Sequence, residues 1–301
     1  MARAAVQFVA KTLSELTPNA YCQGNAHSLN LGMNASREIR VSEIRNVSAV
    51  DFSSATGLSL FDPYLEYWVK EILEIGGEAY VSRTSTGDIS GLFLYEGYEK
   101  TGTICTRSRE VFDYFYNSRS FDSIFAEMRT ELQNETYDIY TIDLENHPIV
   151  HSFNHEISIM DEEQIGEIER FMVSTQPRIN RKWVSVASRN GEKCFIVRLA
   201  NEIAGVAWLS IVSHIGRVHT LNVKPRYRKM GIGLDLLFAR LLWLKSKHAR
   251  SAFSEISRDN VPSSRIATKG GMRVSGQVFR YFKNQAVDDK TRPTVSANMI
   301  R

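Results

Sequence analysis

Val223-Lys224-Pro225-Arg226-Tyr227-Arg228-Lys229-Met230-Gly231-Ile232-Gly233 runs from the end of a predicted strand into a predicted helix. Upstream, Val218, Leu221 and Val223 follow a strand pattern, and downstream Leu234, Leu236, Leu237, Ala239, Leu241 and Leu242 recur at helical spacing. The segment between them lies at a helix N-terminus, where backbone N–H groups lack intrahelical partners and the peptide dipoles add partial positive charge. Such a site favours an anion, phosphate above all. Gly231 and Gly233 let the main chain approach a phosphate closely, while Arg226, Arg228 and Lys229 add charge. A glycine turn with solvated basic residues is the plainer alternative for so short a pattern. Two other phosphate loops fit poorly. A Walker A loop needs Lys and then Ser or Thr after its last glycine, but Leu234 and Asp235 follow Gly233. A dinucleotide fingerprint needs a third glycine.

Arg228-Lys229-Met230-Gly231-Ile232-Gly233 resembles the acetyl-CoA loop of the GNAT superfamily of N-acetyltransferases, whose signature is Gln or Arg, two residues, Gly, one residue, then Gly or Ala. The resemblance continues in order through the second half of the chain. Phe253-Ser254-Glu255-Ile256-Ser257 reads as a short strand; Asn260 and a helix through Ser263, Ile266 and Lys269 lead to Gly271-Met272; Arg273–Phe282 reads as a last strand. The resemblance implies an α/β fold, a twisted mixed sheet flanked by helices, in which parallel strands near 215–224 and 251–257 splay apart at a bulge. It implies that the pantetheine of acetyl-CoA lies in that gap like an extra strand on the main chain of Leu221, Asn222 and Val223. The pyrophosphate would rest on Arg228, Lys229, Met230, Gly231, Ile232 and Gly233, with Asn260 and Ser263 completing the cofactor site.

Acetyl transfer from a thioester to an amine needs an unprotonated nucleophile, a donor to the oxyanion and an exit for the thiolate. The resemblance assigns the donor to the main-chain N–H of Leu221 or Val223. Two side chains compete as base. His219 stands four residues before Val223, where several members of the family place a Glu or His, and an imidazole pKa of about 6.5 suits the task. Glu255 stands five residues before Asn260, where the family's protein N-terminal acetyltransferases carry a Glu, and burial would raise its pKa. Each also has an ordinary structural reading, as a hydrogen-bonded strand His or a solvated strand Glu. The Tyr that many members use as acid, seven residues after the Asn, is replaced by Ala267. Ser263, Ser264 and Tyr281 are the hydroxyls available in its place.

The first half of the chain echoes the second. Gly77-Glu78 opens a run that reaches Asp88-Ile89-Ser90-Gly91-Leu92, and Gly191-Glu192 opens one that reaches Glu202-Ile203-Ala204-Gly205-Val206. In register beyond them come Gly102-Thr103-Ile104-Cys105-Thr106 and Gly216-Arg217-Val218-His219-Thr220. Alternation in both suits strands joined by hairpins, with Thr86-Gly87-Asp88 as one turn; chance likeness between two β-meanders is the plainer reading. The expected organisation is two GNAT-like domains, 1–150 degenerate and 151–301 complete. After Thr106 the first passes into a helical pattern at Arg107-Ser108-Arg109 with no glycine loop. Glu145-Asn146-His147-Pro148 reads as the linker, Asp161 with Gln164 as a capping box, and the residues after about 284 as a loose tail.

Composition sets bounds. A length of 301 residues suits two domains. A net charge of +3 gives no ground for a nucleic-acid partner, and the basic run Lys245–Arg250 falls at a helix C-terminus, where the dipole favours cations. Cys22, Cys105 and Cys194 are scattered without metal-ligand spacing, so neither a metal site nor a disulfide framework is expected. No stretch approaches the roughly twenty apolar residues that span a bilayer, and the expectation is a cytoplasmic protein without a membrane partner. The expected function is an N-acetyltransferase that moves acetyl from acetyl-CoA to a primary amine, on a small molecule, a peptide N-terminus or a lysine, by direct attack with general-base help. The alternative is a non-catalytic acyl-CoA-binding regulatory module. No acidic patch marks the acceptor, and oligomeric state is open.

Overall fold

The computed structural model describes residues 40–282, apart from residues 46, 48–49, 53–63, 97–99, 119–120, 133, 177–178 and 180. Cys22 and the expected tail lie outside the described residues. The first half supplies strands β1 (Arg40–Ile44), β2 (Glu78–Arg83), β3 (Ile89–Glu96), β4 (Thr101–Thr106), β5 (Ser123–Ala126) and β6 (Asn134–Asp143), with helices α1 (Leu65–Glu74) and α2 (Arg109–Ser118). The second supplies β7 (Ile157–Ile159), β8 (Lys193–Leu199), β9 (Glu202–Val212), β10 (Ile215–Val223), β11 (Ser251–Ser257) and β12 (Arg273–Phe282). Its helices are α3 (Ile165–Thr175), α4 (Arg181–Arg189), α5 (Ile232–Ser246) and α6 (Val261–Lys269).

These strands form one large mixed sheet flanked by helices, in the order β1-β2-β3-β4-β5-β12-β6-β11-β10-β9-β8-β7. From either edge the order is the same. Five strands of one half come first, the fourth and fifth parallel, and then a strand of the other half. Each half therefore lends its last strand to its neighbour. β6 pairs with β11 along Ser251–Ser257, and β12 pairs with β5 through Phe279–Phe282.

Local chemistry accounts for the meanders. Gly87, at φ +94°, closes the β2–β3 hairpin, where the Thr84 amide donates to Asp88 O at 2.9 Å. Ala200 and Asn201, both at positive φ, close β8–β9 with the twist a tight hairpin requires. Asp161 and Gln164 exchange both capping bonds ahead of α3. The basic run at the end of α5 is structural in part: Lys245 Nζ donates to His147 O at 3.1 Å, and Arg250 pairs with Glu145 at 3.4 Å, tying down the linker.

α5 packs Leu236, Leu237, Leu241 and Leu244 against β8–β11, each side chain stabilising the fold by about 1.5–3 kcal/mol on burial. Gly216 on β10 is required there, since a Cβ would stand 2.3 Å from Leu244 Cδ1. Another cluster shows what the strand exchange does: Phe279 and Tyr281 of β12 pack with Phe93, Ile104, Phe112 and Ile124 of the first half. Among the described residues no helix is long and apolar enough to cross a membrane.

Phe279→Ala is therefore expected to cost about 3–5 kcal/mol. Denaturant unfolding measures that loss, and hydrogen exchange should show lost protection in β4 and β5 of the first half rather than in β10 and α5.

Candidate active site

The glycine loop sits where the sequence places it, as the entry to α5. Gly231 caps the helix in the left-handed region (φ +87°), and Lys229 before it is also at positive φ. The amides of Met230, Gly231, Ile232 and Gly233 find no acceptor among the described residues, so a row of donors faces outward at the positive end of the dipole. Gly233 serves packing as well, because a Cβ there would meet Ile266 Cδ1 of α6 at 2.7 Å. Of the basic residues, Arg228 and Lys229 are exposed on the loop. Arg226 does not add charge to the phosphate site as expected: it is paired with Glu202, which also holds Lys224 at 2.9 Å and Tyr227. Behind the loop, buried Asp235 accepts His151 Nε2 at 2.6 Å, His155 Nδ1 at 2.7 Å and the amides of Asn154 and His155, which folds the linker over the start of α5.

β10 and β11 pair in parallel only over Ile215–Arg217 and Ser251–Phe253, and beyond that they part. The parting coincides with a bulge against β9 between His219 and Asn222, centred on Thr220 at φ +50°. A β-branched residue in that region is strained by on the order of 1–3 kcal/mol. Arg240 of α5 fills the broken ladder, its Nη1 donating to Trp208 O at 3.0 Å and to His219 O at 3.1 Å. Past the bulge, the Lys224 amide donates to Ala204 O of β9. By alternation Asn222 also turns its amide to β9, whereas Leu221 and Val223 turn theirs into the gap. The expected main-chain contact from Asn222 therefore faces away from the cleft, and its side chain lies against Met172 Sδ.

The gap opens into a cavity of about 710 Å³ that receives side chains from both faces of the sheet. Leu237, Arg240, Ile266 and Ala267 line it from the α5–α6 face; Trp68, Glu71 and Ile72 of α1 line it from the opposite one. Both expected bases are present. His219 Nδ1 meets Thr220 Oγ1 at 3.0 Å, and its Nε2 lies 3.4 Å from Glu192 Oε2, out of line for a hydrogen bond. Glu255 is held on both oxygens by Arg217 Nε, at 3.2 and 3.3 Å. Asn260 and Ser263 line the same cavity, with the Asn260 side chain capping α6 at the Ser263 amide. Ser264 does not line it, and Tyr281 is buried in the first-half core with its hydroxyl on Met128 O, so neither stands in for the acid missing at buried Ala267.

Sequence reasoning missed three members of the cluster: Glu71, Tyr67 and Glu192. Tyr67 donates to Glu192 Oε1 at 2.6 Å, and Trp183 of α4 donates to Glu71 Oε1 at 2.9 Å while its ring edge meets the His219 ring. Burial works against the Glu192 carboxylate, but His219, Tyr67 and Arg217 outweigh it and hold the group below the ordinary carboxyl range. Glu71 goes the other way. Burial, with the Glu192 charge adding to it, raises its pKa from 4.5 to about 7 against the pull of Arg217 and the Trp183 bond. Burial alone would weaken the Arg217 cation, yet Glu255, Glu71 and Glu192 together hold its pKa above the usual guanidinium value.

Residues 157–271 match the acetyltransferase (GNAT) family and form a GNAT acetyltransferase domain. No curated protein matches the chain. Among solved structures it resembles a tandem GNAT protein from the clavulanic acid biosynthesis pathway, with TM-score 0.56, 11% identity, 81% of this chain and 98% of that one covered. A Drosophila structural-genomics protein gives TM-score 0.58, 11% identity and coverage of 82% and 99%. A GNAT-family acetyltransferase from Colwellia psychrerythraea gives 0.52, 10%, and 81% and 100%. At such identities the likeness is one of fold.

A carboxyl whose folded pKa is raised contributes fully to stability below its unfolded value and loses that contribution as pH rises through the folded one. For Glu71 the window is about 4.5 to 7. Native protein should therefore lose stability across it relative to Glu71→Gln, by on the order of 3 kcal/mol at most. Urea unfolding of both proteins at a series of pH values measures the difference.

Proposed function

We propose that the GNAT domain at residues 157–271 transfers an acetyl group from acetyl-CoA to a primary amine by direct attack. One observation carries the reading: the cleft between β10 and β11 presents the inward amides of Leu221 and Val223, and the unpaired amides of Met230–Gly233 stand at the entry of α5, the helix whose Leu237 and Arg240 line that cleft. These groups fit an extended amide-bearing arm ending in a diphosphate. Leu221 and Val223 would hold the pantetheine, the loop amides with Arg228 and Lys229 the pyrophosphate, and Asn260 and Ser263 the cavity wall between them. The bound donor supplies a thioester carbonyl carbon open to attack.

The amide of Leu221 or Val223 donates to the carbonyl oxygen as negative charge gathers there. The proton leaves the amine for the polar cluster that His219, Glu192, Tyr67 and Glu71 form at the first-half wall of the cleft. Glu255, tied to Arg217, positions that guanidinium rather than carrying the proton. In place of the acid missing at Ala267, Arg240 offers its charge to the departing thiolate: it lines the cavity, no carboxylate among the described residues pairs with it, and burial lowers its pKa only to about 9. The first half is a second, degenerate copy of the same unit, with the chain boundary near residue 150. The mirrored strand order supports this, as does the run from β4 into α2 without a glycine loop.

Gly231→Glu sets a carboxylate on the loop amides and a side chain on a left-handed residue. It should abolish the thermal protection that acetyl-CoA gives the native protein. Thiol release with an amine panel separates the enzyme from the non-catalytic acyl-CoA binder: protection of the native protein without turnover of any amine would reject acetyl transfer.

A further inference from the structure

We propose that Glu71, on α1 of the first half, takes the proton that the acceptor amine loses, and that the acceptor is a cationic amine held against the first-half wall of the cleft. The proposal rests on the acetyl-transfer reading and adds to it a catalytic residue and a substrate class. It starts from what each polar group around the cleft is free to do. Glu255 has both oxygens on Arg217. Glu192 is sealed from solvent and bonded to Tyr67, and His219 has Thr220 on one nitrogen while its other, 3.4 Å from Glu192 and out of line for a hydrogen bond, is buried away from solvent. Glu71 lines the cavity with one oxygen on Trp183 Nε1, and its second oxygen has no hydrogen-bond partner among the described residues.

The groups acting on Glu71 come from every element around it: Glu192 ahead of β8, Arg217 on β10, Glu96 on β3, Trp183 on α4 and Tyr67 on its own helix. His219 and Glu255 act through Glu192 and Arg217. On the α1 side of the cleft Glu71, Glu192 and Glu255 share Arg217, while Arg240 stands on the α5 side, so an ammonium beside Glu71 adds a cation where the carboxylates gather. A carboxyl that titrates near neutrality, as this one does at about 7, both holds an ammonium and accepts its proton. Trp68, Ile72, Leu94 and Phe125 line the same cavity beside Glu96 and Glu127, so the first-half wall offers apolar surface and further carboxyls to the body of a cationic acceptor.

Glu71 accepts one proton from the ammonium, and the freed nitrogen pair forms the N–C bond to the acetyl carbon. The C–S bond breaks with its electrons on sulfur, the second nitrogen proton neutralises the thiolate, and Glu71 returns its proton to solvent.

The test compares native protein with Glu71→Gln, which keeps the Trp183 bond, using phenethylamine, 1,5-diaminopentane and glutamate as acceptors. Native protein should release thiol with the two cationic amines and not with glutamate. Its kcat/KM should rise with pH to a plateau, half-complete near 7. Glu71→Gln should lose about 100-fold or more in kcat/KM, and with it that inflection, while acetyl-CoA protects it from thermal unfolding as it does the native protein. Native-like kcat/KM with the same inflection in Glu71→Gln overturns the assignment, and preference for glutamate overturns the substrate class. If native protein binds acetyl-CoA and turns over no amine, acetyl transfer itself fails and this proposal falls with it. The Glu71→Gln comparison alone does not give that result.

Discussion

The structure depends on a gap in its own sheet. Two parallel strands pair for three residues and then separate, leaving the half-buried Leu221 and Val223 with no strand partner on that side, and an unmade hydrogen bond costs about 1–3 kcal/mol where it is shut off from water. The chain meets that cost at one edge and leaves it standing at the other. Thr220 adopts a strained conformation to break the ladder with β9, and Arg240 rises from α5 to satisfy the carbonyls stranded there. The inward amides of Leu221 and Val223 receive no such help. A sheet with a buried cation on one side of a bulge and no partner on the other leaves that edge open, as the proposed binding of an extended arm requires.

The strand exchange is what lets the gap persist. β11 leaves β10 after Phe253 but remains paired with β6 along all seven of its residues, so the departing strand is held rigid from its far edge. That edge belongs to the first half of the chain. The same half places α1 across the cavity from α5, with Tyr64 donating to Ser210 O and Ile215 O and Arg217 stacked over Trp68. The first half thus builds the wall and the support of a site whose loop and bulge belong to the second.

Legibility from sequence followed the range of the interaction. The glycine loop, the Asp161–Gln164 capping box, the hairpin at Gly87 and the order from β10 to β12 rest on neighbours a few residues apart, and the residues announce them. The in-register glycines of the two halves are also visible, and Gly102 and Gly216 fall at equivalent places in the two parallel pairs, opposite Ile124 and Ala252. Strand exchange left no local trace, because an alternating strand such as β6 or β12 carries no mark of which partner it will find. The same limit misplaced two side chains. Arg226 reads as a phosphate ligand until Glu202 is folded beside it, and Tyr281 reads as a hydroxyl near the cleft until β12 carries it into the other half's core. No acidic patch is evident in the sequence, because Glu71, Glu192 and Glu255 stand far apart along the chain.

Those three carboxyls show how one environment assigns different states to chemically similar groups. Each is removed from water, and removal alone would push all three toward the neutral acid. The compensation is shared unequally. Arg217 commits its Nε to Glu255, while His219 and Tyr67 attend to Glu192, which is left ionised in spite of complete burial. Glu71 receives one indole N–H and the repulsion of its neighbour, and is left as the group most easily protonated. When like groups share too few cations, one of them must hold a proton near neutral pH, and the geometry decides which. Here the choice falls on the carboxyl of that cluster with an oxygen left unbonded at the cleft, so the charge deficit of the site and its access to an incoming amine meet at one residue.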